Sequence, residues 1–496
     1  MRRFHGQDLR GLELENVTQS PLFEGRFGRM FRRLRTFQFE DDELDALAES
    51  MRSDAGASTD NPTIPAGYTY FGQFIDHDIT FDPVSSLDRQ NDPDALTNFR
   101  TPRFDLDSVY GRGPLDDPFL YDDNTFGRLL TGKGQDIATR QPTGEDDLQR
   151  NSQGTAMIGD PRNDENIIVS QLHLAFIKFH NRVLEQVTAA GRHRERQAFE
   201  EAQRIVRWHY QWVVVDDFLR RTVGTDVLGE ILIPPDPEKP NDVPQIKTRF
   251  YRPRQQPYLP VEFSVAAFRF GHSQVRENYR INDVVPELPI FAQTEEPGEL
   301  EDFHGGRHLP AQWTVDWSFF FDTAGEGSST QKSLMIDTKL APGLFKLPGA
   351  PPDLESLARR NLKRGRAFAL PSGRRVARAM LETPLTREQL GFNHPAPLWF
   401  YILREAELTR EGGQCLGRVG GRVVAEVLLG LLAGDPLSYA SVEPEWNPLS
   451  ADEEDDRVRI PDGDGDGRFT IVDILRSARV VPEASPQPPP QPSWGG

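Results

Sequence analysis

The sequence predicts a mainly α-helical protein with one large domain, few strands and a small C-terminal appendage. Segments with apolar residues near helical spacing and without Gly or Pro, above all 167–187 and 199–219, predict long buried helices. Convincing strand patterns are few. With 496 residues, 31 of them Phe and 7 Trp, the chain can bury a large core.

The organisation follows from shifts in composition along the chain. Residues 261–269 are interpreted as the start of a helix running through His272, 354–380 as a basic helical stretch broken at Pro371, and 416–432 as a late apolar helix. The predicted units are an N-terminal arm (1–65), the main domain (66–445), a compact Asp/Gly motif (446–480) and a disordered Pro-rich tail (481–496).

Charge and cysteine content restrict the partners and the compartment. The formal net charge of −19 argues against nucleic acid or an anionic membrane surface as the main partner, and it suits bound cations or simply a solvated acidic surface. Because Cys415 is the single cysteine, no intrachain disulfide can form. We find neither a signal-peptide pattern nor a membrane-spanning apolar run, so a soluble, cytoplasmic protein is the expectation; export by another route is the alternative.

His77 is the histidine whose surroundings call for a chemical explanation. It lies between Asp76 and Asp78 in GQFIDHDITFDP, with Gln73 one helical turn earlier. Two adjacent carboxylates keep a histidine charged unless they are engaged elsewhere. The alternative is an exposed acidic turn, but the neighbouring aromatic and aliphatic residues favour burial. His173 and His180, seven residues apart on one helix, are interpreted as core histidines, with a metal pair as the alternative.

Five segments in register resemble the animal (peroxidase–cyclooxygenase) type of haem peroxidase. YFGQFIDHDITFDP resembles its distal-histidine signature, and FRFGH at 268–272 resembles its proximal-histidine segment. The other three are TPRFDLDSVYG (101–111), similar to its calcium loop, GDPRNDEN (159–166), similar to the stretch with its catalytic arginine, and NLKRGRAFALPSG (361–373), similar to the stretch with the asparagine behind the proximal histidine. The helix at 416–432 is similar to that of bacterial members.

The resemblance implies a role for each matching residue. His77 would be the distal acid–base group, Arg162 would stabilise charge on the departing oxygen, and Gln73 would orient the distal water or a small anion. His272 would be the axial ligand of haem b, with Asn361 accepting its other ring N–H. Asp76 and Glu165 occupy the positions that form esters to haem methyl groups.

The resemblance also implies a calcium site, and at most two ester links. A third link, to a methionine after the glutamate, is excluded because Asn166 stands there. Oxygen ligands at alternating loop positions suit calcium. The implied calcium ligands are Asp78, Thr101, the backbone of Arg103, Asp105 and Asp107, the last standing where the family usually has serine.

The segment DGDGDGRFTIVD has the spacing of an EF-hand calcium loop, with Gly467 at the sharp turn. It resembles one dockerin repeat, where dockerins carry two, so we expect calcium binding, with docking to a cohesin-like partner as a further possibility of this resemblance. On this interpretation, truncation after about residue 445 leaves activity nearly intact and removes about one calcium ion. The expected ligands are Asp462, Asp464, Asp466, the carbonyl of Arg468, Thr470 and Asp473.

The resemblance implies an enzyme that reduces hydrogen peroxide and oxidises a small donor (halide, thiocyanate or phenolic) through a ferryl intermediate. One alternative is a fatty-acid haem dioxygenase, but those enzymes carry a radical tyrosine at the position of Arg269. The other is a non-catalytic, calcium-dependent adhesion or scaffold protein, which the intact His77, Arg162 and His272 disfavour. The electron donor is not encoded in any motif that we recognise.

Overall fold

A computed structural model describes most of the chain between residues 25 and 482. The gaps are 37–38, 55, 57–58, 82–97, 237, 240–242, 254–255, 293, 295–297, 299, 324–329, 393, 410 and 450–457. Most of the predicted tail (481–496) and the first part of the predicted arm therefore lie outside the described residues.

The expectation of a mainly helical fold with few strands is confirmed. The α-helices are α1 (Asp41–Ser50), α2 (Gly67–Ile79), α3 (Asp107–Tyr110), α4 (Ile167–Ala189), α5 (Glu195–Trp212), α6 (Arg220–Thr222), α7 (Thr225–Gly229), α8 (Val261–Ser264), α9 (Leu357–Ala367), α10 (Gly373–Ala379), α11 (Arg387–Leu390), α12 (Leu398–Glu407), α13 (Arg418–Gly434), α14 (Tyr439–Val442) and α15 (Ile471–Ser477). None of the helices in the described ranges combines the length and apolar character that crossing a membrane requires.

The strands are short, and in the described part of the chain they form five two-stranded sheets. One of these sheets is parallel (β1 with β7) and four are antiparallel (β2 with β10, β3 with β4, β5 with β6, β8 with β9). The strands are β1 (Phe27–Gly28), β2 (Asp60–Pro65), β3 (Gly132–Gln135), β4 (Pro142–Asp147), β5 (Leu232–Ile233), β6 (Gln245–Ile246), β7 (Leu259–Pro260), β8 (Asn278–Tyr279), β9 (Leu288–Pro289) and β10 (Lys332–Leu334).

The core forms where α4 packs against α2 and α5. Phe74 of α2 stacks on Phe176 of α4 with 4.6 Å between ring centroids, and both rings are fully buried. Burying such a side chain contributes about 1.5–3 kcal/mol relative to leaving it in water. At the start of α2, a Cβ on Gly67 would lie 2.6 Å from the carbonyl oxygen of Phe320, so only glycine allows this close approach. The contacts fix the helix that carries His77.

The second long helix changes its winding before it ends. The predicted helix 199–219 is α5, which begins earlier at Glu195, followed by a π-helical segment at Val213–Leu219. A π-helical turn places one extra residue per turn and is common at functional sites. Here it carries Asp217 and Phe218, both buried, toward the start of α2.

The segment around His272 differs from the continuous helix that the sequence predicts. Helix α8 ends at Ser264, and a separate 3₁₀ helix spans Ala267–Gln274. Of the two residues between them, Ala266 has φ −132° and ψ −70°, which no helix accommodates. The break turns the chain before His272.

The C-terminal motif packs into the body of the protein, so it is not the separate appendage that the sequence suggested. Helix α15 lies against α4, and its residues Ile471, Ile474 and Leu475 are fully buried. The ring of Phe469, just before it, lies 5.0 Å from that of His209 on α5. In the sequence, a short apolar helix after an acidic loop suggests a small separate unit. In the structure, the apolar face of this helix packs against the main core. The expected harmless truncation after residue 445 would expose this surface.

We therefore expect Ile474→Ala to lower the free energy of unfolding by about 2–4 kcal/mol, as for other buried aliphatic truncations. Val442→Ala, at a side chain that is 54% exposed, is the matched control and should change it by less than about 0.5 kcal/mol. Denaturant unfolding followed by circular dichroism measures both. If both variants changed the free energy of unfolding by the same small amount, the C-terminal motif would be a separate appendage after all.

Candidate active site

One cavity of about 420 Å³ brings together the residues that the sequence assigns to haem chemistry. They come from α2, from the 3₁₀ turn Pro161–Asp164 and its C-cap, from the 3₁₀ helix at Ala267–Gln274 and from α9. These segments are up to about 290 positions apart in sequence, so the fold rather than local spacing assembles the site. The residues are Gln73, Asp76, His77, Arg162, Glu165, His272 and Asn361.

His77 is held in one orientation by an amide that the sequence reasoning missed. Its Nδ1 lies 2.8 Å from Oδ1 of Asn163, so Nδ1 carries the proton and Nε2 keeps a free lone pair. The amide nitrogen of Asn163 lies 3.0 Å from Nδ1 of His173. Burial, assisted by the charge of Arg162, lowers the pKa of His77 to about 3. His77 is thus a neutral imidazole that can accept a proton.

Arg162 is fixed by a dense set of acceptors. Its Nε and Nη2 donate to the two carboxylate oxygens of Asp160, at 3.0 and 2.8 Å. Nη2 also donates to the carbonyl oxygens of His77 and Thr80. The guanidinium packs over the ring of Phe81, 4.7 Å from its centroid. These contacts leave Nη1 as the group that can donate to a bound molecule.

Gln73 and the two carboxyl groups of the expected ester positions lie at the same cavity. Gln73 donates through Nε2 to Glu165 and accepts a bond of 3.4 Å from Asn166. The side chain of Glu165 faces the empty cavity, and protein atoms surround that cavity. This burial raises the pKa of Glu165 to about 7. Burial likewise raises the pKa of Asp76, against the opposing effect of Arg269. Both carboxyl groups therefore border the space where a haem edge would lie.

His272 has Asn361 as its expected neighbour, but the amide of Asn361 presents its nitrogen and not its oxygen to the ring. The nitrogen Nδ2 of Asn361 lies 2.7 Å from Nδ1 of His272, whereas the resemblance implied that Asn361 accepts. The physical reason is Arg269, which can only donate and does so to Oδ1 of Asn361 at 3.4 Å. A half-turn of the amide exchanges its oxygen and nitrogen, after which Nδ1 of His272 could donate and Nε2 could bind iron.

The charges around the cavity fit an anionic macrocycle. Arg269, Arg360 and Arg364 all line it. Burial and the neighbouring Arg364 lower the pKa of Arg269 to about 10, and Asp76 opposes this effect only in part. Bound haem carries two propionates, so it would supply the missing negative charge. The residues present thus fit haem, with His272 as the axial ligand candidate.

A buried cluster of carboxylates stands where the sequence predicts calcium. Ligand atoms of Asp78, Asp105 and Asp107 lie within 4.8 Å of one another. In the described part of the chain, neither carboxylate oxygen of Asp78 has a well-aligned hydrogen bond, although the backbone N–H of Leu106 and the hydroxyl of Tyr210 lie close to this carboxylate. Burial and the other two carboxylates raise the pKa of Asp78 well above its usual range. A divalent cation with oxygen ligands would relieve this repulsion.

The two other expected ligands of this site have other contacts as well. Thr101 donates its hydroxyl to Oδ2 of Asp105 at 2.5 Å, so it lies next to the cluster. Arg103 is buried, with Nε 3.9 Å from a carboxylate oxygen of Asp435. The role of its carbonyl oxygen stays a prediction.

The C-terminal loop brings together only part of its expected ligand set. Ligand atoms of Asp462, Asp464 and Asp473 lie within 4.8 Å of one another. Asp466 instead accepts the N–H of Arg468 at 2.8 Å, and Thr470 donates to Asp473. Nη1 of Arg476 donates to Asp464 at 2.6 Å and to Asp473 at 3.2 Å. A calcium ion would have to displace this guanidinium, a competitor that the loop spacing alone does not reveal.

The core histidines have the character that the sequence predicts. His180 lies between the hydroxyl of Tyr110 (3.0 Å) and the carbonyl oxygen of Gly127 (2.9 Å). His173 contacts Asn163 instead of the backbone. Among the described residues, neither histidine belongs to a group of three or more potential metal ligands.

Comparison with known proteins finds a matching family and several relatives. The family model "Animal haem peroxidase" matches residues 85–392, which include Arg162, His272 and Asn361 and begin after His77. "Heme peroxidase 2" of Caenorhabditis elegans is 24% identical over 309 residues, covering 57% of this chain and 40% of that protein. Chorion peroxidase of Aedes aegypti is 27% identical over 215 residues, covering 43% and 25%. The chain thus spans less than half the length of these relatives.

Solved structures show the same fold at low sequence identity. Peroxidase A from Dictyostelium discoideum is similar with a TM-score of 0.60 and 16% identity, over 84% of this chain and 89% of that one. The fatty acid alpha-dioxygenase of Arabidopsis thaliana is similar with a TM-score of 0.53 and 13% identity, over 81% and 73%. One of these structures is a peroxidase and the other a dioxygenase. The similarity therefore identifies the fold but does not distinguish between the two reactions.

The carboxylate cluster predicts a specific response to calcium. We expect calcium at about 100 times its Kd to stabilise the chain by about 2.7 kcal/mol, because the folded chain binds it and the unfolded chain does not. Asp78→Asn should remove most of this gain, and in chelator it should be more stable than the wild type because one buried carboxylate is gone.

Thermal unfolding with calcium and with chelator measures both effects. Asp464→Asn is the matched control in the C-terminal loop. A calcium gain that disappears in Asp464→Asn and survives in Asp78→Asn would contradict the assignment.

Proposed function

Because the chain belongs to the animal haem peroxidase family, we propose that it binds haem b and reduces hydrogen peroxide while oxidising a small electron donor. One observation carries the proposal: His77, with a free Nε2 lone pair, and His272 line the same cavity together with Arg162. A haem peroxidase with a histidine ligand uses one imidazole for iron and can use a second, unbound imidazole to move a proton.

The residues of the cavity would divide the work as follows. When bound, haem supplies the electrons that cleave the O–O bond of peroxide and holds the resulting oxidising equivalents. Nε2 of His77 accepts the proton of one peroxide oxygen and returns it to the departing one. Nη1 of Arg162 donates to that oxygen as negative charge develops, and Asp160 keeps the guanidinium from moving.

The proximal side would hold the ring of His272 by contacts already in place. The indole of Trp399 lies edge-on to His272, 6.5 Å between centroids, and its Nε1 donates to the carbonyl oxygen of Arg269 at 3.1 Å. These contacts restrain the ring plane. With its oxygen turned toward Nδ1, Asn361 would make His272 the stronger donor to iron.

The finer features of the proposal rest on single residues. Small donors such as halide, thiocyanate or phenols suit a site whose polar groups, Gln73 and Arg162, lie within one cavity. Asp76 and Glu165 would form ester links to the haem. Calcium bound by the Asp78 cluster would support the distal wall, since Asp78 follows His77 on α2.

Fatty-acid dioxygenation is the alternative, favoured by the likeness to plant alpha-dioxygenases. Against it stands Arg269, whose guanidinium occupies the place three residues before His272 where those enzymes carry a radical tyrosine. A non-catalytic scaffold is the third candidate. A Soret band excludes the scaffold, and turnover with small donors rather than fatty acids excludes the dioxygenase.

We expect His77→Ala to slow the reaction of the haem-loaded chain with peroxide by at least about 10²-fold, the scale of a positioned acid–base group. Haem should stay bound, because His77 is not its ligand. Rapid-mixing absorbance of the Soret band measures the rate.

The companion variant is His272→Ala, which should lose haem on gel filtration. A His77→Ala variant with unchanged kinetics, or a His272→Ala variant with a normal Soret band, would refute the respective assignment.

The ester links predict that peroxide turnover makes the haem resistant to acid–acetone extraction. Asp76→Ala combined with Glu165→Ala should release it fully, because the two carboxyl groups that would form the esters are then gone. Asn166→Ala is the control and should leave the haem linked. Full extraction from the wild type after turnover would show that neither ester forms.

A further inference from the structure

Tyr68 is a buried tyrosine of α2 that the proposed reaction does not use. It lines the haem cavity, is 3% exposed, and lies at the start of the helix that carries His77. Its hydroxyl lies 2.8 Å from each carboxylate oxygen of Asp217. The phenol of Tyr68 can therefore pass its proton to this carboxylate, whereas its burial keeps it from passing the proton to water.

We infer that Tyr68 is a redox-active residue that gives one electron to the peroxide-oxidised haem while its phenolic proton passes to Asp217. The inference rests on the proposed function, which supplies the oxidant. On this inference, one of the two oxidising equivalents from peroxide is held on Tyr68 and not on the haem.

The step balances within the Tyr68–Asp217 pair. The O–H bond of Tyr68 breaks, the proton joins the carboxylate of Asp217, and the electron reduces the oxidised haem by one equivalent. A neutral phenoxyl radical and a carboxylic acid remain. A donor that later supplies an electron restores the pair, because the proton returns from Asp217 to the phenolate oxygen.

Burial explains why the proton must move with the electron. An oxidised phenol is a strong acid, and a buried one cannot release its proton to water. Burial and the charge of Asp217 also raise the pKa of Tyr68 well above its usual range, so the residue does not ionise before it is oxidised. Transfer to the adjacent carboxylate avoids a cationic phenol radical in a low-dielectric interior.

The acceptor is held in position by two further donors. Nε of Arg221 donates to Oδ1 of Asp217 at 2.7 Å, and the backbone N–H of Ile471 donates to Oδ2 at 3.1 Å. The guanidinium of Arg221 also lies over the ring of Tyr68, 4.6 Å from its centroid. The π-helical segment that carries Asp217 is what brings this carboxylate to α2.

Tyr70 provides a matched comparison on the same helix. It also lines the cavity and is 3% exposed, but its ring neighbour is Tyr279, 5.5 Å between centroids, and not a carboxylate. Two tyrosines of equal burial at one cavity therefore differ in the group that their hydroxyls face, which is the carboxylate of Asp217 for Tyr68 and the hydroxyl of Tyr279, a much weaker base, for Tyr70. The inference assigns the radical to Tyr68 alone.

The experiment mixes the haem-loaded full chain with one equivalent of hydrogen peroxide, without donor, and freezes it for electron paramagnetic resonance. Ring-deuterated tyrosine identifies a tyrosyl radical by narrowing its signal. We expect this signal in the wild type and in Tyr70→Phe, and its loss in Tyr68→Phe. In parallel, a nitroso spin trap added to the wild type should be found by mass spectrometry on the peptide that contains Tyr68.

The inference is overturned if the trap is found on other residues only, or if the tyrosyl signal persists in Tyr68→Phe and disappears in Tyr70→Phe. The Soret band of the same wild-type samples separates this failure from that of the proposed function. A normal spectral response to peroxide without a radical on Tyr68 sinks the inference alone. No spectral response at all sinks the proposed function, and the inference falls with it.

Discussion

The distal side of the cavity depends on one buried carboxylate, that of Asp160. It is fully buried and pairs with two guanidiniums, Arg100 at 2.5 Å and Arg162 at 2.8 Å, and it also accepts the backbone N–H of Arg162. These partners hold the pKa of Asp160 well below its usual range. Removing one partner of such a buried pair costs about 3–5 kcal/mol, because a charge is left uncompensated. The position of Arg162 in the cavity is therefore set by the fold and not by its own flexible side chain.

The same carboxylate connects the cavity to the carboxylate cluster. Arg100, held by Asp160, also lies 3.3 Å from a carboxylate oxygen of Asp107. Asp107 belongs to the cluster with Asp78, and Asp78 follows His77 on α2. A cation in the cluster would thus act on the distal wall along two routes, through α2 to His77 and through Arg100 and Asp160 to Arg162. This arrangement gives a physical reason why calcium and haem chemistry would depend on each other in this chain.

The charged and ring-bearing members of the site could be predicted because they stand in short motifs that resemble those of a known family. His77, Arg162 and His272 stand in such motifs, and the fold brings them to one cavity. Asn163 could not be found this way, since its role depends on an 86-residue separation from His77 and on an amide that is common in turns. The orientation of Asn361 was beyond prediction for a similar reason: it is decided by Arg269, a contact that no motif encodes.

Helix positions were predicted well where apolar spacing is regular, as in α4, and less well where polar contacts decide the winding. The π-helical segment at Val213–Leu219 has an ordinary helical pattern in sequence. The packing of α15 against α4 could not be predicted, because apolar periodicity shows that a helix face is buried but does not show which element covers it.

The C-terminal segment and the distal helix meet at Asp217. Its carboxylate accepts from Tyr68 at the start of α2 and from the N–H of Ile471 at the start of α15. Arg476, further along α15, donates to the carbonyl oxygen of Thr323, two residues after Phe321, which packs edge-on against Tyr68. Helix α2 is therefore anchored at both ends, by Asp217 at Tyr68 and by the carboxylate cluster beside His77. Because a helix is rigid along its axis, fixing both ends fixes the residues between them, and these include Gln73 and Asp76 of the cavity. Helix α15, which looks accessory in the sequence, thus belongs to the scaffold that holds α2 and its cavity residues in place.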